Sequence, residues 1–143
     1  MTVARFWREQ ENRYNLIGVK CGNCGKIYFP PKDMCTDCHR LSLGKMTGHK
    51  ISGTGKVVTY SIVHEGPEAF KMQIPYIMAI IELDEGTRIT GQIVDCEPED
   101  VKIDMPVHTV FRKIHEEGKS GVIHYGYKFR PTIPIKSESK KED

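Results

Sequence analysis

The stretch CGNCGKIYFPPKDMCTDC, residues 21–38, holds four of the chain's five cysteines in two C-x-x-C pairs separated by ten residues. Such spacing can bring four thiolates to one tetrahedral ion, each pair forming a tight knuckle whose amides turn towards its first sulfur. Gly22 and Gly25 ease the first knuckle, and Asp37 and His39 flank the second. Cys21, Cys24, Cys35 and Cys38 are therefore read as metal ligands. A soft four-sulfur set selects Zn2+ or iron. Four thiolates also close the coordination shell, whereas a catalytic zinc keeps one position for water, so the expected ion is a structural Zn2+. A thiol redox site would need only one such pair, at the start of a helix.

Reduced thiols suit the cytosol. The opening MTVARFWREQENRY lacks the apolar core of a secretion signal, and no apolar run is long enough to cross a bilayer. A cytoplasmic location and no membrane partner are expected. The formal charge of +2 falls to zero once four thiolates and one Zn2+ are counted. Basic charge gathers at the cysteines, where Lys20, Lys26, Lys32 and Arg40 can offset the negative metal cluster. Residues 53–131 instead carry nine cations against twelve acids, which disfavours a nucleic-acid groove.

The chain changes character along its length. Residues 4–15, without Gly or Pro, predict a short helix carrying Phe6, Trp7 and Tyr14, an aromatic face for the rest of the protein or for a partner. Leu41 to Ser52 reads as a connector. From Gly53 onwards, β-rich runs alternate with turn signals: 55–64, 75–83, 87–95, 106–114 and 122–130. The second run, PYIMAIIEL, is almost wholly apolar and is expected to be buried on both faces. In the fifth, Ile123, Tyr125, Tyr127 and Phe129 alternate with His124, Gly126, Lys128 and Arg130, predicting an apolar buried face and a wet one. Five strands in about 80 residues fit a small closed barrel of the OB type. The expected fold is mainly β. An N-terminal helix and a rubredoxin-like zinc ribbon occupy residues 1–52, the five-stranded OB-fold barrel residues 53–131, and a disordered polar tail residues 132–143.

Catalytic signatures are missing from the sequence: there is no H-E-x-x-H, G-x-S-x-G or Walker phosphate loop. Histidines 49, 64, 108, 115 and 124 are scattered without ligand spacing, and Cys96 reads as a small buried hydrophobe. A binding or accessory protein is expected.

The N-terminal FWREQENRYNLIGVKCGNCGKIYFPPKDMCTDC, together with GTGKVVTYSIV, PYIMAIIELDEGTRITGQIV and YGYKFRP, resembles the zinc-ribbon OB-fold proteins of acyl-CoA metabolism. The resemblance runs from about residue 5 to 131, with one departure: Asp104 precedes Met105 and Pro106 where the family pattern has Gly. It implies a non-catalytic, acyl-CoA-binding partner of thiolase-type enzymes. In archaea such proteins bridge acetoacetyl-CoA thiolase and hydroxymethylglutaryl-CoA synthase in mevalonate synthesis. Coenzyme A needs a few cations and a narrow apolar slot. Phe70, Lys71 and Met72 on the first inter-strand loop, with Arg112 and Lys113 on the fourth strand, are the candidates for that role. The alternative is a zinc-ribbon OB-fold protein that binds single-stranded nucleic acid.

Overall fold

The computed structural model describes residues 3–132. The predicted tail therefore lies outside the described residues, apart from Thr132. Helix α1 (Val3–Asn15) leads into a three-stranded antiparallel sheet of order β2-β1-β3, made of β1 (Ile17–Cys21), β2 (Ile27–Tyr28) and β3 (Met46–Lys50). Strand β3 corrects the expected connector. Every residue from Met46 to Lys50 pairs with β1, from Met46 opposite Cys21 to Lys50 opposite Ile17. The local sequence MTGHK lacks an apolar pattern because the strand is mostly exposed; its pairing comes from β1.

Five further strands close into a barrel: β4 (Thr54–Val63), β5 (Tyr76–Leu83), β6 (Arg88–Ile93), β7 (Pro106–Glu116) and β8 (Ile123–Pro131). Their order around the barrel is β4-β5-β6-β8-β7, with β7 returning to β4. The pair β6–β8 is parallel, in register at Ile93 and Phe129, and the remaining pairs are antiparallel. This is the expected five-stranded OB-type barrel.

Val57, Ile81, Leu83, Ile93, Val107 and Phe129 pack the interior. Burying one such side chain contributes about 1.5–3 kcal/mol. Gly91 on β6 permits this packing, because a Cβ there would lie 2.6 Å from two ring carbons of Phe129. The β5–β6 turn has Gly86 at φ +81°, a left-handed conformation that costs glycine little.

Two expectations about burial need correction. Strand β5 is not buried on both faces: Ile77, Ala79, Ile81 and Leu83 point inwards, while Ile80 is exposed. A closed barrel has a single inner face, so an apolar strand still alternates. Strand β8 departs in the other direction. Phe129 is buried and Tyr127 half-buried as expected, yet His124 is 4% and Lys128 6% exposed, against 42% for Ile123 and 38% for Tyr125. Its outer face is covered at both positions. Phe6 of α1 sets its ring edge against His124 at 4.6 Å, and Gln73 accepts a 3.1 Å hydrogen bond from Lys128.

The ribbon and barrel share side chains. Phe29 joins the barrel core and meets Tyr127 edge-on at 5.6 Å. The Thr87 hydroxyl donates to the Ile27 carbonyl at 2.7 Å, and the Ile51 amide donates to the Leu16 carbonyl at 2.9 Å. Helix α1 splits its aromatics: Phe6 is buried, Tyr14 packs edge-on against Phe111 at 5.1 Å, and Trp7, about 100° round the helix from Phe6, is 69% exposed.

Candidate metal centre and ligand-facing loop

Two short turns of the same design hold the cysteine sulfurs. In the first, the Gly25 amide donates to the Cys21 carbonyl at 2.9 Å; in the second, the His39 amide donates to the Cys35 carbonyl at 3.0 Å. Each turn closes through a left-handed residue, Gly25 at φ +78° and His39 at φ +47°. His39 thus occupies the place that glycine holds in the first knuckle, and it is not among the four converging ligands.

The Sγ atoms of Cys21, Cys24, Cys35 and Cys38 all lie within 4.8 Å of one another, with Cys24 and Cys35 separated by 3.6 Å. A tetrahedron of Zn–S bonds of about 2.3 Å has an edge of about 3.8 Å, so the donor set fits one zinc ion. Surrounding groups favour thiolates. The Asn23 amide donates to Cys38 Sγ at 3.2 Å, and the Tyr28 hydroxyl lies 3.2 Å from Cys35 Sγ. Buried Ser42 receives the Cys35 amide at 2.9 Å and donates to the His39 carbonyl at 2.6 Å.

The Tyr28 hydroxyl, with the Cys38 and Asp37 amides, draws the Cys35 thiol down from 9.0 to about 6 against the effect of burial. At Cys24 the Lys26 amide favours the anion, yet burial and the neighbouring Cys35, Cys38 and Cys21 sulfurs outweigh it and push the thiol up to about 12. Four adjacent sulfurs cannot all ionise without a cation among them. The chemistry of the site therefore calls for a metal. Zn2+ held by these four cysteines would tie β1, the spacer and the second knuckle together as a structural cross-link.

Basic residues around the ribbon are locally engaged. Lys26 pairs with Asp37 at 3.0 Å, and the Lys26 and Lys32 ammoniums stand 5.7 and 5.2 Å from the Tyr28 ring centroid.

The residues expected to meet acyl-CoA are spread over one end of the barrel. Phe70, Lys71 and Met72 lie on a helical turn, Glu68–Gln73, between β4 and β5. Phe70 packs on Tyr76 at 5.9 Å and approaches His115 of β7 at 6.4 Å. Lys71 pairs with Glu68 at 2.5 Å, and Met72 is 98% exposed. Arg112 and Lys113, as neighbours on one strand, point to opposite faces. Arg112 stands opposite Gly126 and pairs with Asp95 at 2.6 Å, whereas Lys113 stands opposite Tyr125 and pairs with Glu116 at 2.5 Å.

Cys96 packs against the barrel core, where burial, then the charges of Asp100, Asp95 and Glu97, push its thiol up to about 11. A thiol so protonated is no nucleophile at neutral pH.

Sequence reasoning missed one grouping, since His115, His124 and Glu117 come together across the β7–β8 hairpin. The one signal available was the pairing of two strands around EEGKSG, which brings the strand ends together without fixing their register.

A helix packed on a barrel and a four-cysteine ribbon sharing its core define a zinc-ribbon OB-fold protein. Residues 8–44 match the ChsH2 rubredoxin-like zinc ribbon domain, and residues 48–112 match the ChsH2 C-terminal OB-fold domain. The chain belongs to the DUF35 family of scaffold proteins. It is 57% identical over 129 residues to a DUF35 domain-containing scaffold protein of Methanocaldococcus jannaschii, covering 90% of each chain. A scaffold protein of the same description from Methanothermobacter thermautotrophicus is 47% identical over 90% of this chain and 96% of its own. The benzoylsuccinyl-CoA thiolase subunit BbsA of Thauera aromatica is 28% identical over 80% of this chain and 75% of its own. Among solved structures, the Ltp2-ChsH2(DUF35) aldolase superposes with a TM-score of 0.69 at 27% identity, covering 91% of this chain and 94% of that one. Among the described residues, no helix is long and apolar enough to cross a membrane.

Proposed function

We propose that this protein is a non-catalytic scaffold subunit that binds acyl-CoA within a thiolase-type enzyme complex. The observation that carries the reading is the match, at 57% identity over 90% of each chain, to a relative described as a scaffold protein. The thiolase subunit among the relatives supplies the enzyme class. A closed four-sulfur centre suits such a role, because its ion braces the fold without an open position for substrate.

Trp7 and Met72, both strongly exposed, supply apolar anchors of the kind that protein interfaces bury. In this reading Phe70, Lys71 and Met72 meet the pantetheine arm, and one of Arg112 and Lys113, which point to opposite faces of β7, meets the CoA phosphates. The complex would bridge an acetoacetyl-CoA thiolase and a hydroxymethylglutaryl-CoA synthase, handing the intermediate between them in the cytoplasm.

The nucleic-acid alternative is disfavoured by charge. Residues 53–131 carry nine cations against twelve acids, the wrong balance for a phosphate-lined strand. Co-purification from native extract with the full chain as bait tests the proposal. Recovery of a thiolase-fold enzyme, reduced by Trp7→Ala, supports it. Repeated absence of such an enzyme, with no CoA binding by calorimetry, rejects it. Tight salt-dependent binding of oligonucleotides would favour the alternative.

A further inference from the structure

The β7–β8 hairpin contains an irregularity with a chemical consequence. Between Lys113 and His115 the register shifts, and His115 comes to stand opposite His124. Such bulges re-aim side chains. The two imidazoles stack with centroids 4.4 Å apart and planes 16° from parallel. From the turn beyond, Glu117 reaches back so that its carboxylate lies 3.2 Å from His124 Nε2. One ligand atom from each of His115, Glu117 and His124 lies within 4.8 Å of the others.

The surroundings restrict what can satisfy these groups. Phe6 closes one side, edge-on to His124, and Phe70 approaches His115 on another. His124 is buried, and among the described residues His115 Nδ1 is buried without a hydrogen-bond partner. An unsatisfied buried polar atom costs about 1–3 kcal/mol, so a native fold normally supplies it a partner. The adjacent Glu116 is engaged by Lys113, which leaves Glu117 as the acid directed at the histidines.

We propose that His115, His124 and Glu117 form a second metal site, distinct from the cysteine centre, for a zinc-class divalent cation. Two imidazole nitrogens and one carboxylate oxygen are a donor set that zinc accepts, and three protein ligands leave a fourth position for water. An imidazole binds metal near its own plane, so uptake turns the His115 ring out of the stack about its Cβ–Cγ bond. The ion fastens the tip of the hairpin and, through Phe6 and Phe70, sets the position of α1 and of the Glu68–Gln73 turn.

The test uses the full chain with one equivalent of Zn2+ already bound to its cysteines. Titration with Zn2+ in a calorimeter is expected to show a second equivalent with micromolar affinity. Co2+ added to the same species should give ligand-field bands without the sulfur-to-cobalt charge-transfer band of a thiolate site. Glu117→Gln, at an exposed carboxylate that the fold does not bury, and His115→Gln should each weaken the second equivalent by about tenfold or more. Circular dichroism of both variants reports folding, and if His115→Gln unfolds, Glu117→Gln alone decides. A wild-type chain that takes up one equivalent only at micromolar free zinc overturns the proposal. So does a second equivalent that persists undiminished in the folded variants.

Discussion

The Tyr28 hydroxyl lies 3.2 Å from Cys35 Sγ while receiving the Thr36 amide at 3.3 Å, so one phenol links strand β2 to the second knuckle. Its proton is held in place by the adjacent sulfur, which raises the phenol above its ordinary range. A hydrogen bond to a ligating sulfur tunes how readily that sulfur serves the metal. Tyr28→Phe is expected to lower zinc affinity by about tenfold with little change in circular dichroism. Competition with a chromophoric chelator measures it; an unchanged affinity would show that the hydroxyl has no part in the centre.

Acid should release the metal. Cys35, drawn down from 9.0 to about 6, favours folding as a thiolate above its ordinary range, and that contribution is lost as pH falls through about 6. Cys24 must release its proton to solvent as the metal binds, since without a metal its thiol is pushed up to about 12. Both effects make zinc binding stronger as pH rises. Zinc retention measured by dialysis should therefore fall, and thermal stability with it, on acidification from about pH 7.5 to about pH 5. Retention that is flat across this window contradicts thiolate ligation.

Cys96 provides an internal control for thiol chemistry. It packs on the core, and burial pushes its thiol up to about 11, so its thiolate fraction at pH 8 is about one in a thousand. A chromogenic disulfide reagent should find almost no fast thiol in the zinc-loaded protein. When a chelator strips the metal, Cys35, drawn down to about 6, should react first, whereas Cys96 should react only on denaturation. Rapid labelling of Cys96 before denaturation, located by peptide mapping, would show that it is more open than its packing indicates.

The metal centre was legible because spacing within a short segment encodes it: two C-x-x-C pairs ten residues apart leave little choice of geometry. The barrel strands were legible because inward residues such as Ile77, Ala79 and Ile81 recur with period two. Strand β3 was hidden because MTGHK takes its structure from pairing with β1, not from its own composition. The buried His124 and Lys128 were hidden for a related reason, since α1 and Gln73 cover a strand face that reads as polar. The His115–His124 meeting depended on a register shift, which no local pattern announces.

Asp104 offers a test of backbone strain. Where the family pattern has glycine, this residue adopts φ +63°, a left-handed conformation tolerated by aspartate and preferred by glycine. Among the described residues its carboxylate makes only a long 3.8 Å contact with exposed Lys56. Asp104→Gly is expected to range from neutral to about 1 kcal/mol stabilising, because lower native strain is partly offset by the freedom glycine adds to the unfolded chain. Chemical denaturation of zinc-loaded protein measures the difference. Destabilisation well beyond about 1 kcal/mol would place an unrecognised interaction on the Asp104 side chain.

Phe29 is the residue through which the ribbon and barrel become one cooperative unit. It sits in the spacer between the cysteine pairs, yet it is only 9% exposed and packs with the barrel core against Tyr127. Its ring is not part of the sulfur cluster, so truncation should leave the ligands intact. Phe29→Ala should cost about 3 kcal/mol and lower the midpoint of barrel unfolding by about 10 °C, while zinc content stays at one equivalent in the cysteine centre. Calorimetry with metal analysis on the same sample separates the two readouts. If the variant kept the wild-type midpoint, the barrel would be complete without the ribbon; if it lost the zinc, Phe29 would be positioning the knuckles instead of joining the two cores.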